Sequence, residues 1–297
     1  MNIEKIYFET QDNARLVGLL HKGLETDKVI ISVHGMTSDC LKRRDDIIAK
    51  TMTENNIDFF SFNNRGHDVV SYLTKEMQGI NAKQRAGTAY EDVQDSYFDI
   101  KAAIEEMLQR GYKQIYLQGH SLGCTKIVYT YNKLKSKNED KYIDKIKAIM
   151  LLSLVDIPRA QKINLGDNYD YMLEYAQKRE EDGRKYHLMP NESFIHPISV
   201  KSYLRYFRDN AEINFAQYSN KDYEYPELNN IQIPLFMRWG TVFEMIEQPA
   251  NELADLLNKK ILNPKKDISY IEGANHGYSQ KEQIVADEML KFLNANV

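Results

Sequence analysis

The pentapeptide Gly119-His120-Ser121-Leu122-Gly123 constrains this chain more than any other stretch. Its setting carries the weight. Tyr112-Lys113-Gln114-Ile115-Tyr116-Leu117-Gln118 precedes it and reads as a short buried strand. Cys124-Thr125-Lys126-Ile127-Val128-Tyr129-Thr130-Tyr131 follows it and reads as a helix. A strand, a tight turn carrying serine and then a helix lifts the hydroxyl out at the turn, above the helix N-terminus. Gly119 and Gly123 leave room for that turn and for close approach of helix to strand.

The rest of the chain supplies the layers such a turn needs. Lys5 to Phe8 and Leu16 to His21 read as a strand hairpin, with Gln11-Asp12-Asn13 as its turn. From Lys28 to Val33 a β-branched run suits a strand covered on both faces. A helix over Leu41 to Asn55, a strand over Ile57 to Phe62 and a polar loop containing Gly79 and Gly87 follow. The loop leads into a helix over Tyr90 to Arg110, closed by Gly111. Ile146 to Val155 is a further apolar strand. The sheet resumes at Leu235 to Trp239, then a helix near Pro249 to Lys260, a strand over Ile268 to Ile271 and a helix over Gln280 to Asn294. Alternation of this kind predicts an α/β fold, with a mostly parallel central sheet and helices on both faces. Residues 157–230 break the pattern: they are charged, helical in places and rich in tyrosine. They read as an inserted, largely helical cap between a first core part, 1–156, and a second, 231–297.

Composition narrows the partners. A formal net charge of −4 offers no basic field for nucleic acid. The apolar runs fall far short of the roughly 20 residues that span a bilayer. Met1-Asn2-Ile3-Glu4-Lys5 lacks the basic and then apolar pattern of a signal peptide, so a cytoplasmic protein is expected. Two cysteines, Cys40 and Cys124, make no disulfide framework and read as small buried thiols. Neither metal-site spacing nor a glycine-rich phosphate loop occurs, so no cofactor and no metal are expected.

A serine hydroxyl needs a base, and the base needs an orienting acid. Gly273-Ala274-Asn275-His276-Gly277 puts a histidine in the loop after the last strand, at the sheet edge where open α/β sheets bind ligands. His276 is the candidate base. The oxyanion of an acyl-transfer intermediate needs backbone N–H donors. Leu122 offers one, and Met36, in the loop His34-Gly35-Met36-Thr37-Ser38 after the first parallel strand, offers the second. Gly35 lets that backbone turn inward, and His34 fixes the loop.

Val33-His34-Gly35-Met36, Asn64-Arg65-Gly66-His67, Gly119-His120-Ser121-Leu122-Gly123 and Gly273-Ala274-Asn275-His276 together resemble the α/β-hydrolase superfamily. The likeness covers nearly all of the chain outside the cap. Arg238-Trp239-Gly240, Glu244-Met245-Ile246 and Gly273-Ala274-Asn275-His276 also look like siderophore-ester hydrolases and capped cinnamoyl/feruloyl esterases. The resemblance implies a serine hydrolase acting on a small-molecule carboxylic ester. An amidase or peptidase on the same residues, or a ligand-binding protein on a hydrolase scaffold, are its alternatives. It also implies an acid after the strand that follows the cap, with aspartate three residues beyond the glycine. Phe243 stands there, so the acid is expected at Glu244, with Asp156 as the alternative and Glu247 as a further neighbour. Arg65 is expected to brace its turn. Most cap tyrosines are expected to pack the cap onto the body, and some to line an acyl pocket.

Overall fold

The computed structural model describes residues 2–77, 79–209 and 211–297. The chain opens with a hairpin, β1 (Asn2–Glu9) and β2 (Ala14–Lys22), followed by β3 (Lys28–Val33), α1 (Arg43–Thr53) and β4 (Asp58–Asn63). A second hairpin, β5 (Ser71–Met77) and β6 (Ile80–Ala86), precedes α2 (Ser96–Gln109), β7 (Gln114–His120) and α3 (Leu122–Ser136). The short α4 (Asp140–Ile143) leads to β8 (Ile146–Leu152). Four helices follow before the sheet resumes: α5 (Ile157–Leu165), α6 (Asn168–Glu181), α7 (Val200–Phe207) and α8 (Pro226–Asn229). Last come β9 (Leu235–Gly240), α9 (Ala250–Lys260), β10 (Lys266–Ile271) and α10 (Glu282–Asn296).

The strands form one ten-stranded sheet in the order β10-β9-β8-β7-β3-β4-β2-β5-β6, with β1 on β2. The six strands from β10 to β4 are parallel, and the N-terminal strands extend them antiparallel. Period-2 alternation sorts the side chains onto two faces. Ile30, Phe59, Tyr116 and Met150 join Ile48, Met52, Val285 and Met289 of α1 and α10 on one side. On the other, Val29, Ile31, Leu117 and Leu151 pack with Ile100 of α2, Ile127 of α3 and Leu253 of α9. β3 lies between β4 and β7, so the chain leaves it in both directions, which makes its C-terminal end a topological switch point.

Three local readings change. The polar loop containing Gly79 and Gly87 folds as the hairpin β5–β6, with Gly79 at φ 79° in its turn. Most of β6 faces solvent, so the apolar alternation that betrays a strand is missing. The helix expected from Tyr90 begins at Ser96, because Asp92 is extended and its side chain accepts the Gln94 N–H, closing a single 3₁₀ turn first. The apolar strand ends at Leu152, since Ser153 turns out of it at φ 56°. No described helix is long and apolar enough to cross a membrane.

The insertion between β8 and β9 packs on its tyrosines. α7 turns Val200, Tyr203, Leu204 and Phe207 inward at helical spacing. Tyr169 donates to Phe207 O at 2.5 Å and Tyr218 to Leu154 O at 2.8 Å, so these two buried rings find partners for their hydroxyls.

Candidate active site

Every parallel strand delivers its C-terminal loop to one end of the sheet, and a cavity of about 790 Å³ opens there. Ser121, His276, Met36 and Leu122 all line it, with Gly35 and His120. Ser121 stands between β7 and α3 at φ 54°, ψ −123°, a backbone region that non-glycine residues rarely adopt. Its N–H donates to Leu152 O at 2.8 Å and its carbonyl accepts from Cys124 N at 2.9 Å, which hold the turn. The turn also depends on its glycines. A Cβ on Gly123 would stand 2.0 Å from Val33 O, and one on Gly119 would stand 2.6 Å from Cys124 N. Leu122 is the first residue of α3 and lines the cavity, and its N–H has no carbonyl within the helix to bond.

The loop after β3 is fixed on both sides of Met36. Thr37 N donates to Thr88 Oγ1 at 2.8 Å. His34 is buried, donates from Nδ1 to Gly35 O at 2.9 Å and accepts from Asn64 N at 3.3 Å on Nε2. Burial and the nearby Lys126 ammonium hold its pKa down to about 3, so the ring stays neutral and can do both.

His276 lies after β10 and hydrogen-bonds through Nδ1 to Glu244 Oε1. Glu244 is almost wholly buried and well supplied with donors. Its Oε2 accepts from Ser153 Oγ at 2.7 Å and Gly240 N at 2.9 Å, and its Oε1 from Met245 N at 3.0 Å. Burial alone would raise the pKa of this carboxyl, but the hydrogen bond and charge of His276, with Gly240 and Ser153, bring it below the ordinary value. The extra methylene of glutamate spans the one-residue displacement left by Phe243, which is itself turned out to solvent at φ 50°. His120 holds the same loop: its Nε2–H donates to His276 O at 2.7 Å. Burial, with the Arg44 guanidinium close by, keeps that imidazole far below its usual pKa and therefore neutral.

The other two carboxylates are close by but have other partners. Asp156 caps α5, accepting from Arg159 N at 3.1 Å, and lines an adjoining cavity of about 250 Å³ that Glu244 and Glu247 also line. Burial pushes its pKa up to about 6 against the hydrogen bonds it accepts. Glu247 forms a half-exposed ion pair with Arg159 at 2.7 Å. Arg65 braces its turn, pairing with Asp99 at 2.7 Å and Asp12 at 3.0 Å. Cys40 and Cys124 are buried free thiols. Among the described residues no tyrosine lines the large cavity; its insertion-side wall is mixed, with Ile157, Leu165, Phe194, Ile195 and Phe207 beside Gln161, Asn164, Asn191, Glu192 and His196. Ser153, Thr88 and Tyr278, whose hydroxyl lies 2.9 Å from Ser153 Oγ and donates to Arg238 O at 2.8 Å, are partners that the sequence does not single out. A serine at the end of an apolar strand was the available signal for Ser153, and nothing local marks the other two.

Sheet order, crossover helices and the strand–serine–helix turn define an α/β-hydrolase fold. The family model described as lecithin:cholesterol acyltransferase matches residues 53–291, and the chain belongs to that family. No curated protein matches the chain. Among solved structures, it is similar to Est1E from Butyrivibrio proteoclasticus with ferulic acid bound, at 16% identity and TM-score 0.64, over 98% of each chain. A soluble variant of monoglyceride lipase from Saccharomyces cerevisiae aligns at 13% identity and TM-score 0.66, over 99% of this chain and 96% of that one. The Pyrococcus furiosus esterase Pf2001 aligns at 18% identity and TM-score 0.62, over 99% and 91%. Likenesses at this identity speak for the fold.

Proposed function

We propose that the chain is a serine hydrolase that cleaves carboxylic esters of small molecules. One observation carries the reading: Ser121, on its strained turn, shares a cavity wall with His276, whose Nδ1 is engaged by a buried, hydrogen-bonded carboxylate. Ser121 Oγ attacks the ester carbonyl while His276 Nε2 takes its proton. Glu244 holds the Nδ1–H tautomer and stabilises the imidazolium. The N–H groups of Met36 and Leu122 receive the oxyanion. The imidazolium then protonates the departing alcohol, and water, activated by His276, releases the acid from the acyl-enzyme. The insertion at 157–230 acts as the cap, and Ile157, Leu165, Phe194 and Phe207 within its mixed wall give the apolar part of a small ester a surface to bury.

A short p-nitrophenyl ester tests this. The expected result is turnover that Ser121→Ala abolishes, together with fluorophosphonate labelling of Ser121 in the unaltered protein. Undiminished turnover in Ser121→Ala overturns the assignment. Matched ester and amide substrates separate an esterase from an amidase, and labelling failure with retained ligand binding would indicate a binding protein.

A further inference from the structure

A second buried polar cluster lies behind the oxyanion loop, and the reaction above makes no use of it. Lys126, on α3, is 1% exposed. Its ammonium donates to Glu91 Oε2 at 2.8 Å, to Glu91 Oε1 at 3.1 Å and to Asn64 Oδ1 at 3.0 Å. The Glu91 side chain is itself 0% exposed. Burying two charges costs so much hydration that such a pair is a poor stabiliser compared with an apolar packing. Its placement therefore calls for another reason.

Both ends of the pair lead to Met36. From Lys126 the path runs through Asn64, whose N–H bonds His34, whose ring in turn holds Gly35 O. Burial, aided by the Lys126 charge, keeps His34 neutral, so that its Nε2 remains an acceptor. From Glu91 the path runs through Gly66, where a Cβ would stand 2.1 Å from the carboxylate oxygens. Gly66 O accepts from Thr88 Oγ1 at 3.1 Å, and Thr88 Oγ1 accepts from Thr37 N. The same glutamate is fastened to the insertion. Tyr206 of α7 donates to its Oε1, and Ser202 Oγ donates to its carbonyl at 2.8 Å. Ser199 N reaches Ala89 O at 2.8 Å, so the segment before α2 is clamped along its length.

We propose that Lys126 and Glu91 are positioning residues that set the Met36 N–H against the reacting carbonyl and tie that geometry to helix α7 of the insertion. The proposal rests on the reading of Ser121 as nucleophile. An N–H donor aimed at developing charge acts in the transition state more than in the bound ester, so its displacement shows in kcat rather than KM.

Two variants test it. Lys126→Met/Glu91→Gln removes both charges and strands neither, whereas Tyr206→Phe deletes only the hydroxyl that fixes Glu91. For the double variant, kcat on the ester is expected to fall on the order of 10–100-fold with KM nearly unchanged. Affinity for a boronic acid that mimics the tetrahedral intermediate should fall in parallel. Amide hydrogen exchange over residues 33–38 should quicken in both variants, and Tyr206→Phe should show a smaller kcat loss of the same kind. A folded double variant with unaltered kcat, boronate affinity and exchange overturns the proposal. If the double variant fails to fold, unaltered kcat and exchange in Tyr206→Phe do so. Absence of turnover and labelling in the unaltered protein would defeat the ester reading instead, and the exchange measurement would still decide whether this network holds the loop.

Discussion

Glu244 and Asp156 are both buried carboxylates beside the same loop, yet their environments move them in opposite directions. Burial raises the pKa of each. Hydrogen bonds and charge from His276, with Gly240 and Ser153, bring Glu244 below the ordinary value. Asp156 has only backbone donors and a nearby Arg159, and it rises to about 6. The depth of a carboxylate thus does not set its charge; the donors aimed at it do. Glu244 is built to stay ionised behind an imidazole, whereas Asp156 is built to begin a helix.

The largest expected effect comes from breaking the Glu244 side of this contrast. Glu244→Gln should keep the fold and lower kcat by about 10³–10⁴-fold, because His276 loses the charged, acceptor-only carboxylate that fixes its tautomer and stabilises the imidazolium. Asp156→Asn should leave kcat close to that of the unaltered protein; a comparable collapse of kcat in that variant would move the orienting role to Asp156.

Asp156 should instead reveal itself in stability. Its folded pKa lies above the ordinary aspartate value of 3.8, so its favourable contribution is present below about 4 and is lost as pH rises through about 6. Denaturant melts of Asp156→Asn at pH 4 and pH 7 should show a gain at the higher pH on the order of 2–3 kcal/mol relative to the lower. Glu244 has the reverse sign: its depressed pKa contributes stability above the unfolded carboxylate range, and acidification through its folded pKa removes it. Equal melting shifts at both pH values would show that Asp156 is not held up by burial.

The smallest effect sharpens the comparison. Ser153→Ala deletes one donor to Glu244 Oε2 and leaves Gly240 N–H on that oxygen. A kcat loss of about tenfold, with Glu244 titrating higher, is expected. The acid limb of the pH–rate profile checks it, and an unmoved limb with full kcat would show the serine hydroxyl to be incidental.

The parallel sheet and its helices were legible because their patterns are local: Val29 to Val33 is apolar but for Ser32, and Ile146 to Leu152 but for Lys147. The hairpin β5–β6 was not, since an exposed ribbon has no buried face to write an alternation. The tyrosines were legible as large apolar rings but not as to what they face. Tyr206 looks inward to Glu91 and Tyr171 outward to solvent, although both come from the same charged, tyrosine-rich stretch. At the site, Ser121, His276, Met36 and Leu122 could be placed by motif and by strand end. Ser153 and the Lys126–Glu91 pair could not, because their meaning lies in contacts many residues away.

The sequence by itself determined the strained serine turn, its two steric glycines and the alternation that carries loops to one end of the sheet. Those follow from φ/ψ sterics and from side-chain periods of 2 and 3.6 residues. Only the tertiary structure decided which carboxylate meets His276 and what holds the loop around Met36. Glu244 reaches His276 across 32 residues, and Ser153 reaches Glu244 across 91. Partners so distant in the chain are chosen by strand order and loop path, and by the cost of leaving a buried polar group unpaired, which no local pattern records.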